Sequence, residues 1–416
     1  MSNKERIEKR TNGTKGMGRL ILFSLLFFLC SFAFSYDFGL ILDNTAGIGG
    51  NGGKNAGDKN AGDKNAFDYS GILVPRFQSF WGENLELYVS AGIEACYVNK
   101  EFYVVPELLR TELSYSFGRG DVKAGRIHYS DPLGYIANGL FDGTRFSYNS
   151  ALGVFGAGAW YTGFLYKSRA DITMTAKEKE NYNAKLDYSD FAKTYFAPSR
   201  MIAALDWEHS NLLNLLMAKA ALLGQFDLSG ENLNCQYLVV SAALPLRAFL
   251  FDLGGCLELI QNECFGAAFS ADLGATWMLP VSLQSRLSFF ARYTSGSSTS
   301  IDAFLPVTTK SQGFVLKANH SGITLLSLDY AARLHSTCSL AFSSSYFIRN
   351  DKTTYAGFGE DGSLLGNEFF GRLLWSPVSD MRFNLGAGLF LPSMGNVAPR
   401  AKSLWRVELN FVMSLY

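Results

Sequence analysis

The residue types that most often perform catalysis are scarce in this chain, beginning with histidine. Four histidines occur in 416 residues, and none has the His-Glu-x-x-His spacing that lets two imidazoles hold zinc. His209 and Ser210 are the residue types of a hydrolytic pair, but adjacent positions do not bring a serine hydroxyl to the imidazole. The sequence therefore predicts no enzyme activity, no metal site and no cofactor. The histidines are His128, His209, His320 and His335.

Charged side chains are the second candidate chemistry, and they alternate with apolar ones. In residues 85–97, Glu86 and Glu94 fall on one parity, while leucine, valine, isoleucine and alanine occupy the other. Successive strand side chains point to opposite faces, so such a strand has one polar and one apolar wall. The pattern returns in 265–277 and 407–415. These runs exceed the usual strand of about 5 to 6 residues in soluble proteins and match a tilted bilayer span.

The charged side chains are therefore predicted to be held by β-strands. The predicted fold class is all-β, a transmembrane antiparallel up-and-down β-barrel. We expect about 18 strands, with 16 as the alternative count, including a first strand at 36–44 and a long strand at 314–334. Connections alternate between long and short, which is typical of outer-membrane barrels with long loops outside. We expect a flexible, low-complexity loop at 45–67 and a long external loop at 167–200 whose charged and aromatic residues favour inward folding.

The first 35 residues have the organisation of an export signal. Basic residues precede an apolar run at 20–34, and Ala33 to Ser35 offers small residues for cleavage, which predicts a mature barrel over 36–416. Met17 is an alternative start. Removing this segment leaves 31 basic and 35 acidic residues, so no nucleic-acid partner is expected. We expect an integral outer-membrane protein with a periplasmic C-terminus.

The charged residues of the polar parity are predicted to line the lumen. A charge on the lipid face would cost about 2 to 4 kcal/mol near the bilayer midplane. Side chains alone cannot fill a barrel of roughly 16 to 18 strands, so an aqueous pore is favoured over a solid core of ion pairs. The predicted cationic lining is Arg110, Arg126, Arg145, Arg286 and Arg292, and the predicted opposing wall is Glu94, Glu112, Asp252, Glu258 and Asp272.

Two segments resemble known outer-membrane proteins. The runs Gly125-Arg126-Ile127-His128 and Phe141-Asp142-Gly143-Thr144-Arg145 resemble the alginate-export group of porins. Residues 160–167 and 196–200 resemble uncharacterised outer-membrane barrels of spirochaetes. The first resemblance implies an arginine-lined lumen, with Arg126 and Arg145 in the lining, that attracts an anionic polysaccharide. The acidic residues on the same faces argue against a uniformly cationic tunnel.

The predicted function is a porin-like channel for passive passage of small hydrophilic solutes, with anions or saccharides as candidates. The main alternative is a surface adhesin or structural barrel with a plugged lumen and partner-binding loops; a third is a gated transporter of hydrophobic solutes. An adhesive role for the Arg119-Gly120-Asp121 triplet would require an external position, whereas the topology places it in a periplasmic turn.

The final strand has the features of an insertion signal. Glu408 and Asn410 are followed by the apolar Met413 and Leu415 and the terminal aromatic Tyr416. We therefore expect three kinds of partner: outer-membrane lipid, small polar solutes, and the barrel-assembly machinery, which would read this C-terminal strand.

Overall fold

The structure is a computed structural model that describes residues 35–50, 66–98, 100–175, 178–179, 186–230, 233–261, 265–281, 283–355 and 361–415. The predicted signal peptide, apart from Ser35, lies outside the described residues, as do Met17, Tyr416 and most of the predicted flexible loop.

Eighteen antiparallel strands form one closed barrel in which each strand pairs with its neighbours in the chain. Closure comes from β1 against β18, where Leu40 is opposite Leu415 and Gly50 is opposite Trp405. The predicted fold class and strand count are confirmed. The strands are β1 (Ser35–Gly50), β2 (Ala66–Trp81), β3 (Leu85–Val98), β4 (Glu101–Phe117), β5 (Gly120–Ser130), β6 (Asn138–Ser150), β7 (Gly153–Tyr161), β8 (Arg200–Leu212), β9 (Leu216–Asp227), β10 (Asn234–Leu246), β11 (Phe249–Gln261), β12 (Phe265–Met278), β13 (Arg286–Thr294), β14 (Ile323–His335), β15 (Cys338–Arg349), β16 (Leu364–Val378), β17 (Met381–Leu391) and β18 (Leu404–Leu415).

The outer face of the barrel is apolar because of the two-residue period. On β11, Leu253 and Leu257 are exposed, whereas Cys256 and Glu258 between and beside them are buried. Alternation sends the second set into the lumen. Closure also removes the free strand edges at the seam, where β1 and β18 satisfy each other's backbone groups.

The two ends of the barrel differ in their connections. One end, which we call the turn end, has short connections such as 118–119, 151–152 and 247–248. The other, the loop end, carries 162–199 and 295–322, which are the longest connections between described strands. The assignment of the loop end to the cell exterior stays a prediction.

Two predicted boundaries are wrong. The predicted loop 45–67 is too long, because β1 continues to Gly50 and β2 begins at Ala66. The predicted strand 314–334 begins only at Ile323. Its first part has a strand-like apolar composition, but it packs inside the lumen, where the ring of Phe314 lies 4.5 Å from that of Phe370.

The connection 162–199 contains the short α-helices α1 (Lys167–Ala170) and α2 (Phe191–Tyr195). Within the described ranges, no helix has the length and apolar character needed to cross a membrane.

Candidate functional site

The hairpin of β5 and β6 leaves the barrel wall and bends into the lumen. β4 pairs with β5 only as far as Arg126, and β7 pairs with β6 only as far as Asp142. β5 and β6 nevertheless stay paired to Ser130. The freed tip reaches the inner face of β11, where it packs over Gly254. We call residues 127–141 the inserted hairpin.

The tip of the inserted hairpin is held at the wall by an aromatic and ionic cluster. The Tyr135 hydroxyl donates to Ser270 Oγ at 2.8 Å, and the guanidinium of Arg292 lies 3.7 Å from the centre of the Tyr135 ring. Arg292 in turn pairs with Asp272 at 2.7 Å. The His320 ring stacks on Tyr135 at 4.6 Å. The cluster therefore ties the hairpin to β12 and β13.

Two glycines make the bend possible. Gly125 is directly opposite Gly143 and has a φ of +113°, in the left-handed region that favours glycine. A Cβ atom at Gly125 would lie 2.1 Å from the carbonyl oxygen of Thr111, and one at Gly143 would lie 2.1 Å from that of Ala159. The motif Gly-Arg on β5 and Asp-Gly on β6 is thus the hinge of the inserted hairpin.

Arg126 stabilises this hinge and does not line an open lumen. It is 5% exposed and forms a bidentate pair with Asp142, with both hydrogen bonds at 2.8 Å. It also donates to the backbone oxygens of Leu108 and Phe164. The expectation that Arg126 faces the pore is therefore wrong. The physical reason is the bend at Gly125, which buries the next side chain in the wall.

The bend leaves one edge of β4 without a strand partner, and side chains satisfy its carbonyls. Alternate carbonyl groups along this edge have no neighbouring strand to bond to. Each accepts a hydrogen bond from a different side chain. The pairs are Tyr188 with Val104, Tyr195 with Pro106 at 2.9 Å, and Arg126 with Leu108.

The connection 162–199 also enters the lumen. Arg169, just inside α1, pairs with Glu94 at 2.9 Å and with Glu107 at 2.6 Å, on β3 and β4. The arginine side chain is 41% exposed, whereas the two carboxylates are 12% and 4% exposed. The positive partner of this cluster therefore faces the lumen, and the negative partners lie behind it.

The connection 295–322 is the third segment inside the barrel. Glu258 on β11 accepts the backbone N–H of Leu305 at 2.8 Å. Farther along, the buried carboxylate of Glu368 on β16 accepts three consecutive backbone N–H groups. These donors are Phe314 at 2.6 Å, Val315 at 3.0 Å and Leu316 at 2.8 Å.

The three inserted segments bond to one another as well as to the wall. The N–H of Thr308 donates to the carbonyl of Ile136 at 2.9 Å, which joins the third segment to the hairpin. The N–H of Thr173 donates to the carbonyl of Val307 at 2.9 Å, which joins the third segment to the connection 162–199. Together they narrow the lumen, and we call this layer the constriction.

On the wall beside the constriction, the cations face the lumen and the carboxylates lie behind them. Glu112 accepts from both Arg110 and Lys123 and is 6% exposed, while these cations are 39% and 41% exposed. Lys123 is directly opposite Arg145 on the next strand. We call Arg110, Lys123 and Arg145 the cationic row.

The remaining predicted lining residues fall into two groups. Arg286 and Asp252 are exposed and lie on the lumen parity towards the turn end. Arg292 and Asp272 are 13% and 10% exposed because they hold the hairpin, and Glu258 is 1% exposed because it holds Leu305. Their role as pore lining stays a prediction, and for the last three the structure shows an anchoring role.

Arg169 was missed by sequence reasoning, as were two lysines of the third segment, Lys310 and Lys317. The Lys317 ammonium interacts electrostatically with Arg406, Glu408 and Asp68 on the wall. Strand parity does not predict which way the residues of a connection point. The signal that was present is the mixed charged and aromatic composition of 167–200.

We expect Arg126→Ala to destabilise the barrel by about 3 to 5 kcal/mol, because it leaves the Asp142 carboxylate and two backbone oxygens without their donor. Lys352→Ala, at a lysine side chain that is 80% exposed, is the control and should cost under about 1 kcal/mol. The measurement is the urea midpoint of gel-shift unfolding for both variants. Equal midpoints would contradict the hinge role.

The constriction should weaken in acid through His320. Burial, followed by the nearby positive charge of Arg292, lowers the pKa of His320 from 6.5 to about 3. A released loop binds a proton at about pH 6.5, whereas the packed one does not. The stabilisation of the constriction by neutral, packed His320 is therefore complete above about pH 6.5, and it is lost progressively as the pH falls towards 3.

The expected loss between pH 6.5 and 4.5 is about 2 kcal/mol. His320→Phe keeps a ring on Tyr135 and should flatten this dependence in limited proteolysis of the third segment. His335→Gln, at an exposed histidine of the turn end, should leave it unchanged. An unaltered pH profile in His320→Phe would refute the assignment.

Among the described residues, no group of three or more histidine, cysteine, aspartate or glutamate side chains could hold a metal ion. Scans of protein-family models and of curated proteins gave no match to this chain.

Solved structures do match. The outer membrane protein OpdK from Pseudomonas aeruginosa has a TM-score of 0.61 at 10% identity, covering 92% of this chain and 98% of its own. OccK2 (OpdF) from the same organism, solved in complex with glucuronate, has a TM-score of 0.58 at 13% identity, with coverages of 92% and 96%. OpdK with vanillate has a TM-score of 0.60 at 10% identity, with coverages of 92% and 98%. The chain therefore has the 18-stranded barrel fold of these outer-membrane porins.

Proposed function

We propose that this protein is an outer-membrane channel for passive passage of small hydrophilic solutes, with a preference for anions. The observation that carries the proposal is the unequal exposure of the ion pairs. Arg110, Lys123 and Arg169 face the lumen, while Glu112, Glu94 and Glu107 lie behind them. A ring of charge near a permeant path favours ions of the opposite sign.

The neighbouring structures support the same chemistry. OccK2 was solved in complex with glucuronate and OpdK with vanillate, and both molecules carry a carboxylate. A carboxylate is a good partner for arginine and lysine donors, because hydrogen bonds between ionised groups are roughly twice as strong as neutral ones. The proposed solute is accordingly a small carboxylate or a related monoanion.

The proposal includes an arrangement of the chain in the cell. Residues 1–35 direct export, 36–416 insert into the outer membrane, and the C-terminal strand engages the barrel-assembly machinery. The loop end faces outward and the C-terminus faces the periplasm. Membrane lipid covers the apolar outer face, which includes the exposed Leu253 and Leu257. The protein performs no catalysis, and a kinship with alginate-export or spirochaete barrels is retained only as a prediction from the sequence.

The test is planar-bilayer recording on the refolded mature chain. We expect discrete channels whose reversal potential in a potassium chloride gradient indicates chloride preference, more so at low salt where screening is weak. Swelling of liposomes in isosmotic solute should be faster with glucuronate than with glucose, despite their similar size. Channels that prefer potassium would overturn the anion preference, and absence of conductance would overturn the channel.

The second candidate function is a plugged barrel that acts as an adhesin or structural protein. The observation in its favour is the large apolar cluster between the inserted segments and the wall, which includes Tyr135, Ile136, Ile172 and Phe304. This cluster fills the lumen beside β5 to β12 but leaves Arg110 and Lys123 of the cationic row exposed. Absence of conductance together with binding of the loop end to host matrix would favour this candidate.

A further inference from the structure

A groove of about 890 Å³ crosses the outer face of the barrel between β5 and β11. Its floor is a row of residues that are directly opposite one another on neighbouring strands, in the order Thr144, Ala159, Ala203, Gly224 and Gln236. The row has the lipid-facing parity, because Leu205 and Leu222, each two positions from a floor residue, are exposed. We call these five residues the floor row and the depression above them the outer groove.

Large apolar side chains form the walls of the outer groove. Phe226 stands on its loop-end side, and the residues on its turn-end side are Phe146, Leu205, Leu222 and Leu238. Side chains on the two sides, such as Leu222 and Phe226, are four positions apart, which is about 13 Å along a strand. The side chains themselves take up much of this distance, so the remaining space is narrow. The convex, rigid wall of a second barrel cannot reach the floor, whereas a flexible hydrocarbon chain can.

The outer groove runs obliquely through the membrane-facing band. Thr144 lies six residues before the last residue of β6, whereas Gln236 lies ten residues before the last residue of β10, so the groove climbs towards the loop end. From β6 to β10 it crosses four strand spacings, or about 19 Å. With strands tilted by about 40°, this corresponds to about 12 Å along the membrane normal. The hydrocarbon of one leaflet has a similar depth, half of a core of about 30 Å.

The fold does not require glycine in the floor row. The φ of Gly224 lies outside the left-handed region, and an added Cβ would first meet the ring of Phe226, at 3.0 Å, rather than backbone. Glycine in a strand interior weakens the strand, and it often marks a place where a ligand approaches the backbone closely. The missing side chain at 224 therefore deepens the outer groove at a cost in strand stability.

The surroundings of the groove specify its guest. Lipid tails are about as apolar as leucine, so association inside a bilayer depends on van der Waals packing rather than on the hydrophobic effect. An empty groove would leave the floor row without contact atoms, and a chain lying along it restores them on three sides. At the upper end, the amide of Gln236 can donate to the ester carbonyl that joins an acyl chain to its head group.

We propose that the outer groove binds one acyl chain of a lipid from the leaflet at the loop end, with the ester carbonyl of that chain at Gln236. The inference goes beyond the proposed channel and rests only on its location in a membrane. Its test measures retained lipid without any ionic current, so its failure and the failure of the channel are distinguishable.

The experiment refolds the full mature barrel into liposomes of dimyristoylphosphatidylcholine, extracts it with a mild detergent and counts retained lipid by native mass spectrometry. We expect about one retained lipid per wild-type barrel. Ala203→Leu fills the floor row and should lower this occupancy at least threefold, while leucine on the lipid face leaves folding intact. Ala271→Leu, at an exposed alanine of the same parity on β12, is the matched control and should retain lipid as the wild type does.

A second floor variant and a second lipid complete the test. Ala159→Leu fills the same row from the next strand and should give the same loss, including where Ala203→Leu fails to insert. Dimyristoylphosphatidylglycerol should be retained equally, because the chain and its ester are bound rather than the head group. No lipid on the wild type, equal retention in the wild type and both floor variants, or retention that depends on the head group would overturn the inference. Dimers of the wild type that disappear in Ala203→Leu would also overturn it, by showing that a second copy covers the groove.

Discussion

Substituting Gly125 by valine should abolish the bend of the inserted hairpin and widen the pore. Gly125 has a φ of +113°, and its Cβ would meet the Thr111 carbonyl oxygen at 2.1 Å, so no other residue fits without moving the backbone. The contact is with backbone rather than with the end of a flexible side chain. We therefore expect the hairpin to leave the lumen and the single-channel conductance to rise about threefold or more, as the wide lumen of an 18-stranded barrel becomes the path.

The control for this substitution is Gly255→Ala on the outer parity of β11. There the nearest atom to an added Cβ is 3.5 Å away, an ordinary van der Waals contact. It should change neither conductance nor the temperature of unfolding. Valine at 125 with unchanged conductance and unchanged stability would contradict the hinge. Failure of Gly125→Val to insert would be resolved by Gly143→Ala, which disturbs the same hinge from the opposite strand.

Reversing two cations near the constriction should reverse the ionic preference. In Lys123→Glu with Lys310→Glu, two charges change sign, which alters the charge beside the path by four units. A unit charge about 7 Å from a permeant ion contributes about 0.6 kcal/mol in water, before screening. Even when screening removes most of the interaction of these four charge units with the ion, about 1 kcal/mol of it remains. This energy corresponds to about a fivefold change in the ratio of cation to anion permeability at low salt.

The measurement is the reversal potential in a tenfold potassium chloride gradient, repeated at high salt, where the shift should shrink. Lys352→Glu, an exposed lysine in the connection 350–363, is the control and should leave the potential unchanged. A reversal potential that is the same in the double variant and in the wild type would place these lysines away from the permeant path and contradict the proposed selectivity.

The sequence alone determined the architecture, because alternation is a local property. Each run such as 265–277 carries its apolar and polar faces in its own residues, and a bilayer requires that the apolar face point outward. Strand number, barrel closure and the inward position of Glu94, Glu112 and Arg145 all follow from that rule. Long and short connections could be counted between the strands in the same way.

The sequence could not show where strands stop following the wall. Arg126 has the residue type of a pore-lining cation, yet one glycine before it turns the chain inward and buries it against Asp142. The segment 314–322 has the composition of a strand, yet Glu368, distant in the chain, holds its backbone inside the barrel. Both outcomes depend on partners outside the local sequence pattern: Asp142 is 16 residues from Arg126, and Glu368 is 54 residues from Phe314.

The exposure of each charge was likewise decided only by the tertiary structure. Parity assigns Glu112 and Lys123 to the same lumen face and makes them equivalent. Their packing makes them different, because one carboxylate accepts from two cations and is covered by them. Parity along a strand sets which face a charge occupies, but the segments folded across that face set whether the charge meets water, and those segments are positioned by long-range hydrogen bonds that no local pattern encodes.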